Sequence, residues 1–314
     1  MAAELFAIGI DGGGSHTRAM LLDGTRAIRA HREGGASNPH STDPADVRTT
    51  LEELISGVCG DAGVPLADVR SLCLAMAGVD RPADRALIEG MVRPLLADGQ
   101  ALLIRNDSVA GMMAGLDELH GLMLIAGTGS ICFAYHRDGR TGRAGGYGHV
   151  LGDEGSGYAM GVAAMKAVIQ ASDGRLAPTA LTGMLLGHLG LSAPPDLVTW
   201  LLQVDYAKSS IASLSRVLAE ADAAGDAAAV AIMDQMADDL ASVVMPAHRQ
   251  LFSKADGAVP IVFGGSNLVR NDRYQSRLRA RLAAMEAPLE VVLPKRSAVE
   301  GAARYALAHA EAHA

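Results

Sequence analysis

Two short glycine-rich turns, each wedged between apolar strands, constrain this chain more than any other feature. Leu5–Ile10 is apolar and rich in strand formers, and Asp11-Gly-Gly-Gly-Ser15 turns the chain. Thr17–Leu22 then reads as a second strand, Asp23-Gly24 as a hairpin turn and Thr25–His31 as a third strand. The same order returns as Leu122–Ala126, Gly127-Thr-Gly-Ser130, Ile131–Tyr135 and Asp138-Gly139. Gly127 follows Gly12 by 115 positions, so the chain reads as two related halves, an internal duplication.

Between and after these blocks, strands alternate with helices. Asp43-Pro44 opens a helix to about Ala62; Val69–Met76 is a strand, Pro82 to Leu96 a helix and Ala101–Arg105 a strand. The next helix, about Ser108 to Leu119, carries Gly111 and Gly115 on one face, which suggests close packing against a neighbour. From Gly157 to about Lys254 the chain is nearly all helical, and its longest helix, from about Asp226, contains a kinking Pro246. Strand Pro260–Phe263, helix Ser266–Glu286, strand Leu289–Leu293 and a helix from Ala298 complete it. The class is α/β.

At 314 residues the chain is long enough for two domains. A formal charge of −8, with no basic run of five, argues against nucleic acid or an anionic membrane as partner. The N-terminus lacks a basic start, and no stretch reaches about 18 uninterrupted apolar residues, so a cytoplasmic location is expected. Cys59, Cys73 and Cys132 are odd in number and widely spaced, which fits neither a disulfide framework nor a closed metal site; reduced, buried thiols are expected.

Asp11-Gly-Gly-Gly-Ser15 is not a P-loop, since no Lys-Ser/Thr follows, nor a dinucleotide fingerprint, since a strand follows the glycines. It is a hairpin tip whose backbone at Gly13 and Gly14 can wrap a phosphate, with hydroxyls from Ser15 and Thr17. Asp11 beside it suits Mg²⁺, which takes oxygen ligands and keeps several waters. Gly127, Thr128 and Gly129 form a second such loop, and two facing loops would grip a nucleotide tail. Gly264, Gly265 and Ser266 make a third site, where a strand meets a helix N-terminus.

Asp107, in Arg105-Asn-Asp-Ser, is an acid past a strand end, where open α/β sheets gather ligands; by position alone it reads as an N-cap. Asn38 before Pro39 reads as a turn former. Asp153 and Glu154 side by side could bridge hydroxyls of a polyol or form a solvated acidic turn. His149 reads as structural.

Three ordered signatures resemble those of the sugar kinase, Hsp70 and actin superfamily: Asp11-Gly-Gly-Gly-Ser-His-Thr17, Leu124-Ile-Ala-Gly-Thr-Gly-Ser130 and Ile261-Val-Phe-Gly-Gly-Ser266. More narrowly, the chain is similar to the N-acetylglucosamine and glucosamine kinase group, pooled with the BadF/BadG/BcrA/BcrD-type ATPases. The match runs nearly end to end.

The resemblance implies two actin-like (ribonuclease H-like) domains with an ATP and sugar cleft between them. Residues 1–118 would be the sugar-binding domain, completed by 298–314; residues 119–297 would bind the nucleotide and carry a helical insertion at about 157–254. Asp107 matches the catalytic base. Asn38, Gly78, Ser130, Ile131, Gly146, Tyr147, Gly148 and Asp153 match sugar-binding positions, and Ala212 aligns loosely with a helix bordering the adenine. Gly301 would face the Gly111/Gly115 helix at a hinge. The implied activity is ATP- and Mg²⁺-dependent phosphorylation of the 6-hydroxyl of N-acetylglucosamine, with glucosamine or N-acetylmuramate as alternatives. Such kinases are often homodimers, although no interface is legible here.

Two other classes compete. An ATPase activator of a reductase would need an iron–sulfur ligand pattern that these three cysteines do not offer. A sugar-sensing repressor would carry a helix-turn-helix before the first strand, where only four residues precede Leu5.

Overall fold

The computed structural model describes residues 5–313, which form two compact units: 5–119 with 294–313, and His120–Leu293. Among the described residues no helix is long and apolar enough to cross a membrane.

The first unit opens with strands β1 (Phe6–Gly12), β2 (Thr17–Asp23) and β3 (Ile28–Gly34), followed by helix α1 (Pro44–Ala62). Then come β4 (Val69–Met76), α2 (Pro82–Val92), β5 (Ala101–Asn106) and α3 (Asp107–Leu116). The sheet order is β3-β2-β1-β4-β5; β1 pairs antiparallel with β2 and parallel with β4.

Alternation along β1 explains its two faces. Phe6, Ile8 and Ile10 point one way and join Leu72, Leu74 and Met76 in a core of large side chains with Leu51, Ile55 and Val58 of α1. Ala7, Cys73 and Ala75 point the other way, into a layer of small residues with Ala110, Ala302 and Ala306. Small residues let helices approach the backbone itself. A Cβ at Gly9 would overlap the backbone nitrogen of Ala303, and one at Gly301 the carbonyl oxygen of Ala110.

The second unit begins with β6 (Gly121–Ala126), β7 (Ser130–Tyr135) and β8 (Thr141–Gly145). Seven helices follow: α4 (Gly157–Ser172), α5 (Ala180–Leu189), α6 (Asp196–Gln203), α7 (Lys208–Ser213), α8 (Ser215–Ala223), α9 (Ala227–Ser242) and α10 (Val244–Leu251). The unit closes with β9 (Val259–Gly264), α11 (Ser266–Val269), α12 (Asp272–Ala283) and β10 (Leu289–Val292), and α13 (Ala298–Ala312) returns to the first unit. The sheet order β10-β9-β6-β7-β8 repeats the first sheet, with β6 antiparallel to β7 and parallel to β9 as β1 is to β2 and β4. The duplication seen in the glycine turns is therefore a duplication of topology.

Several boundaries differ from the sequence reading, each for a local reason. The third strand starts at Ile28 rather than Thr25 because Asp23 Oδ1 accepts from the amides of Thr25 and Ala27, and Arg26 adopts φ 67°. The expected long helix from Asp226 breaks at Val243, just before Pro246, which has no amide to donate. The helix expected over Ser266–Glu286 is two helices, since Asn271 Oδ1 accepts from the amide of Tyr274 and starts α12 afresh. Gly301 does face the Gly111/Gly115 helix, but it touches Ala110 and Ala114.

Gly9→Ala and Gly301→Ala should each cost about 3 kcal/mol through overpacking against rigid backbone, lowering the thermal midpoint by roughly 5–10 °C. Gly183→Ala, in α5 with nothing within 4 Å of a built Cβ, should leave the midpoint unchanged or raise it.

Candidate functional site

In the first unit the register brings three strand ends into line. Gly12 pairs with Met76, and Met76 with Asn106. The loops that leave these strands are stitched together: Ala77 donates its amide to Gly12 O at 2.8 Å and Ser37 donates to Gly13 O at 3.0 Å. The predicted residues Asp11, Gly13, Gly14, Ser15, Asn38, Gly78 and Asp107 therefore gather at one end of one sheet. Gly78 has φ 80°, and a Cβ there would stand 2.7 Å from Asn38 Oδ1. Its carbonyl accepts from His40 Nε2 at 2.9 Å, so the Asn38 loop and the Gly78 loop hold each other.

Thr17 departs from expectation. Its side chain is buried, and its hydroxyl donates to Gly35 O at 2.7 Å, with Ser37 Oγ at 2.8 Å. That hydroxyl is engaged inside the unit rather than offered to a phosphate. Gly14 and Ser15 remain exposed at the hairpin tip.

Asp107 is not the N-cap. Asn106 takes that role, its side-chain oxygen accepting from the amide of Ser108 at 2.9 Å while its amide reaches Asp80. Asp107 is the first residue of α3, and its carboxyl is pushed up to about 6, first by burial and then by the negative charges of Asp11 and Asp80. Asp11 is also raised, by burial, with Arg18 opposing. Three carboxylates thus crowd one strand edge. Their charges reach one another, although among the described residues no three His, Cys, Asp or Glu side chains are close enough together to hold a metal ion by themselves.

In the second unit the centre is the carbonyl of Gly127. It accepts from the amide of Gly157 at 2.8 Å and from Asn267 Nδ2 at 3.0 Å. Ser156 caps α4, and Tyr158 donates to Thr128 O at 3.2 Å. Gly265, at φ 82°, passes so close that a Cβ would lie 2.5 Å from the carbonyl of Ala126. The second and third glycine sites meet at Gly127, which lies against Gly265 and Ser266 at the junction of β9 and α11.

Beside them lies a cavity of about 690 Å³ whose walls include Gly127, Thr128, Ala212, Ser266 and Asn267. Ala212, on α7, is one of these wall residues. Arg216, Glu220 and Arg270 also line the cavity and were missed, because solvated helix faces carry such residues everywhere and nothing in their spacing marks them. Asn267 could have been found, since it follows the Gly-Gly-Ser turn directly.

Asp153 is buried at 4% exposure, in a left-handed backbone conformation at φ 63°. The solvated acidic turn is therefore wrong for it. Its Oδ1 accepts from the Ser130 amide at 3.1 Å, and Ser130 Oγ donates to Glu154 O at 2.7 Å. Gly146, at φ 73°, lies directly over the Ile131 side chain, where a Cβ would overlap it. Gly148 has φ 83°, and Tyr147, 61% exposed, lies under the guanidinium of Arg143 at 4.9 Å. His149 is exposed and packs its ring on Tyr158 at 4.7 Å.

Comparison with known proteins places this architecture. Residues 8–306 match the model of the BadF/BadG/BcrA/BcrD ATPase family. The chain is 37% identical over 237 residues to an N-acetylmuramic acid/N-acetylglucosamine kinase of Clostridium acetobutylicum, covering 75% of this chain and 76% of the relative. It is 32% identical over 279 residues to the N-acetyl-D-glucosamine kinase of Dictyostelium discoideum, covering 86% and 87%. In fold it resembles a Chromobacterium violaceum protein solved as a candidate N-acetylglucosamine kinase, with a TM-score of 0.74 at 24% identity over 96% and 98% of the two chains. The chain belongs to the BadF/BadG/BcrA/BcrD ATPase family.

Proposed function

We propose that this protein is an ATP-dependent amino-sugar kinase that transfers the γ-phosphoryl group of ATP to the 6-hydroxyl of N-acetylglucosamine. The observation that carries the reading is Asp107, a carboxylate raised toward neutrality at the aligned strand ends, beside the glycine hairpin and Asp11. The names of the two kinase relatives support the substrate class, and the Clostridium relative keeps N-acetylmuramate open as an alternative, as glucosamine is.

In this reading Asp107 accepts the proton of the sugar hydroxyl while its oxygen attacks the γ-phosphorus and the bond to the ADP oxygen breaks. Phosphoryl transfer asks the protein mostly for positioning and charge neutralisation. The backbone amides of Gly14, Thr128 and Gly129 supply donors to the phosphates, and Ser15 a hydroxyl, whereas the amides of Gly13 and Gly127 close their own turns by donating to His16 O and Gly129 O. Asp11 would hold Mg²⁺, which when bound neutralises charge on the phosphate tail. Asn38 and Gly78 in the first unit, and Ser130, Ile131, Gly146, Tyr147, Gly148 and Asp153 in the second, are assigned to the sugar. The cavity at Thr128, Ala212 and Ser266 is assigned to the nucleoside. The first unit, which carries the proposed base Asp107, is assigned as the sugar-binding domain, and the second, which carries the nucleoside cavity, as the nucleotide-binding domain, each lending residues to the other's ligand. An ATPase activator would need accessible cysteine ligands, whereas Cys59, Cys73 and Cys132 are all buried, with the Cys73 thiol pushed up to about 12 by burial.

ADP release from Mg·ATP, measured with no sugar, N-acetylglucosamine, glucosamine and N-acetylmuramate, tests the reading. One sugar should raise the rate well above the blank, and Asp107→Asn should lower kcat by at least about 100-fold. Equal turnover in every tube would overturn it. The base must be ionised, so kcat/KM should fall tenfold per pH unit below about 6.

Stability should move the opposite way. A carboxyl whose folded pKa is raised stabilises the fold below its unfolded pKa of 3.8, and that contribution is lost as pH rises through about 6. Asp107→Asn should therefore stabilise the fold by on the order of 1 kcal/mol at pH 7.5 and by little at pH 4, read as the difference in urea midpoint.

A further inference from the structure

Lys208, the first residue of α7, has no role in the assignments above. Its ammonium lies 2.7 Å from Oδ2 of Asp153, with 36% of the lysine side chain exposed and 5% of the aspartate's. The same ammonium stands 2.9 Å from where a Cβ on Gly129 would be. A cation is thus set directly against the last glycine of the second phosphate loop. Its neighbour Ser209 and the loop residue Thr128 both line the cavity, whereas Gly129 lies beyond that wall, toward Ser130 and Asp153.

The pair is lopsided, and that decides what it is for. Ion pairs with one partner open to solvent contribute little to stability. Asp153, however, is fixed independently: it is buried, its Oδ1 is held by the Ser130 amide, and its backbone is left-handed. A rigid carboxylate holding a half-exposed lysine fixes the ammonium in place. The ammonium has three donors and Asp153 Oδ2 faces it from one side. Ordering a lysine in advance removes part of the rotamer cost that binding an anion would otherwise carry.

We propose that Lys208 contacts the outer phosphates of the nucleotide, beyond the first, with Asp153 as its positioning carboxylate. The inference rests on the ATP-dependent reading, and it adds to the second unit a cationic phosphate ligand outside the glycine turns.

Calorimetric titration of AMP, ADP and the non-hydrolysable analogue AMPPNP into wild type, Lys208→Met and Lys208→Arg tests it. Wild type should bind more tightly with each added phosphate. Lys208→Met should keep AMP affinity within about twofold and lose at least tenfold for ADP or AMPPNP, about 1.4 kcal/mol; Lys208→Arg should recover most of it. Retained AMP binding shows that the variant is folded. Equal affinities of wild type and Lys208→Met overturn the proposal, as does an equal loss for all three nucleotides. Wild type that binds none of the three overturns the ATP reading and the proposal with it, whereas binding by wild type with no discrimination by Lys208→Met sinks the proposal alone.

Discussion

Both units depend on one arrangement: a central strand that is antiparallel to one neighbour and parallel to the other. The antiparallel partner must return through a tight turn at the carboxyl end of the central strand. The parallel partner finishes at that same end, so its outgoing loop meets the turn. In the first unit this brings the loops after β1, β4 and β5 together through the Gly12–Met76–Asn106 register. In the second it sets the β6–β7 turn against the β9–α11 junction, where Gly265 leaves no room for a side chain. The glycines follow from this crowding as much as from any ligand.

That convergence has an electrostatic cost. Asp11, Asp80 and Asp107 meet at one edge, and Asp107 is held away from its ordinary range by burial and by its neighbours' charge. The N-cap of α3 is Asn106, whose side chain accepts from the Ser108 amide, and not Asp107. A carboxylate whose burial works against stability at neutral pH is the kind of group that active sites use, in keeping with the role proposed for it. The second unit shows the complementary case, where buried Asp153 is balanced by Lys208.

Much of this was legible beforehand, and what was not has physical causes. The strand–turn–strand repeats, α1 and β4 declare themselves through alternation and a Pro-led helix start. The splitting of the helix expected over Ser266–Glu286 depended on one side chain, Asn271, reaching the amide of Tyr274, which periodicity does not register. Thr17 reads as a phosphate donor by its place in the glycine motif; only the fold reveals that Gly35 and Ser37 occupy its hydroxyl. Lys208 and the arginines of the cavity lie on helices whose polar faces carry charge anyway, so proximity in space is the only signal that distinguishes them.

The small-residue layer of the first unit has a consequence for the order in which the protein can be made. Its β1 floor is laid down by the opening residues, yet the helix that seals it, α13, follows only after all of His120–Leu293. On a ribosome the Ala7, Cys73 and Ala75 face has only α3 to lie against it until the intervening unit has emerged. A face of alanine, glycine and cysteine is a poor adhesive for stray hydrophobic chains, because it offers little apolar area until a helix lies flush against its backbone. The same residues that permit the final close fit therefore leave little apolar area exposed before α13 arrives.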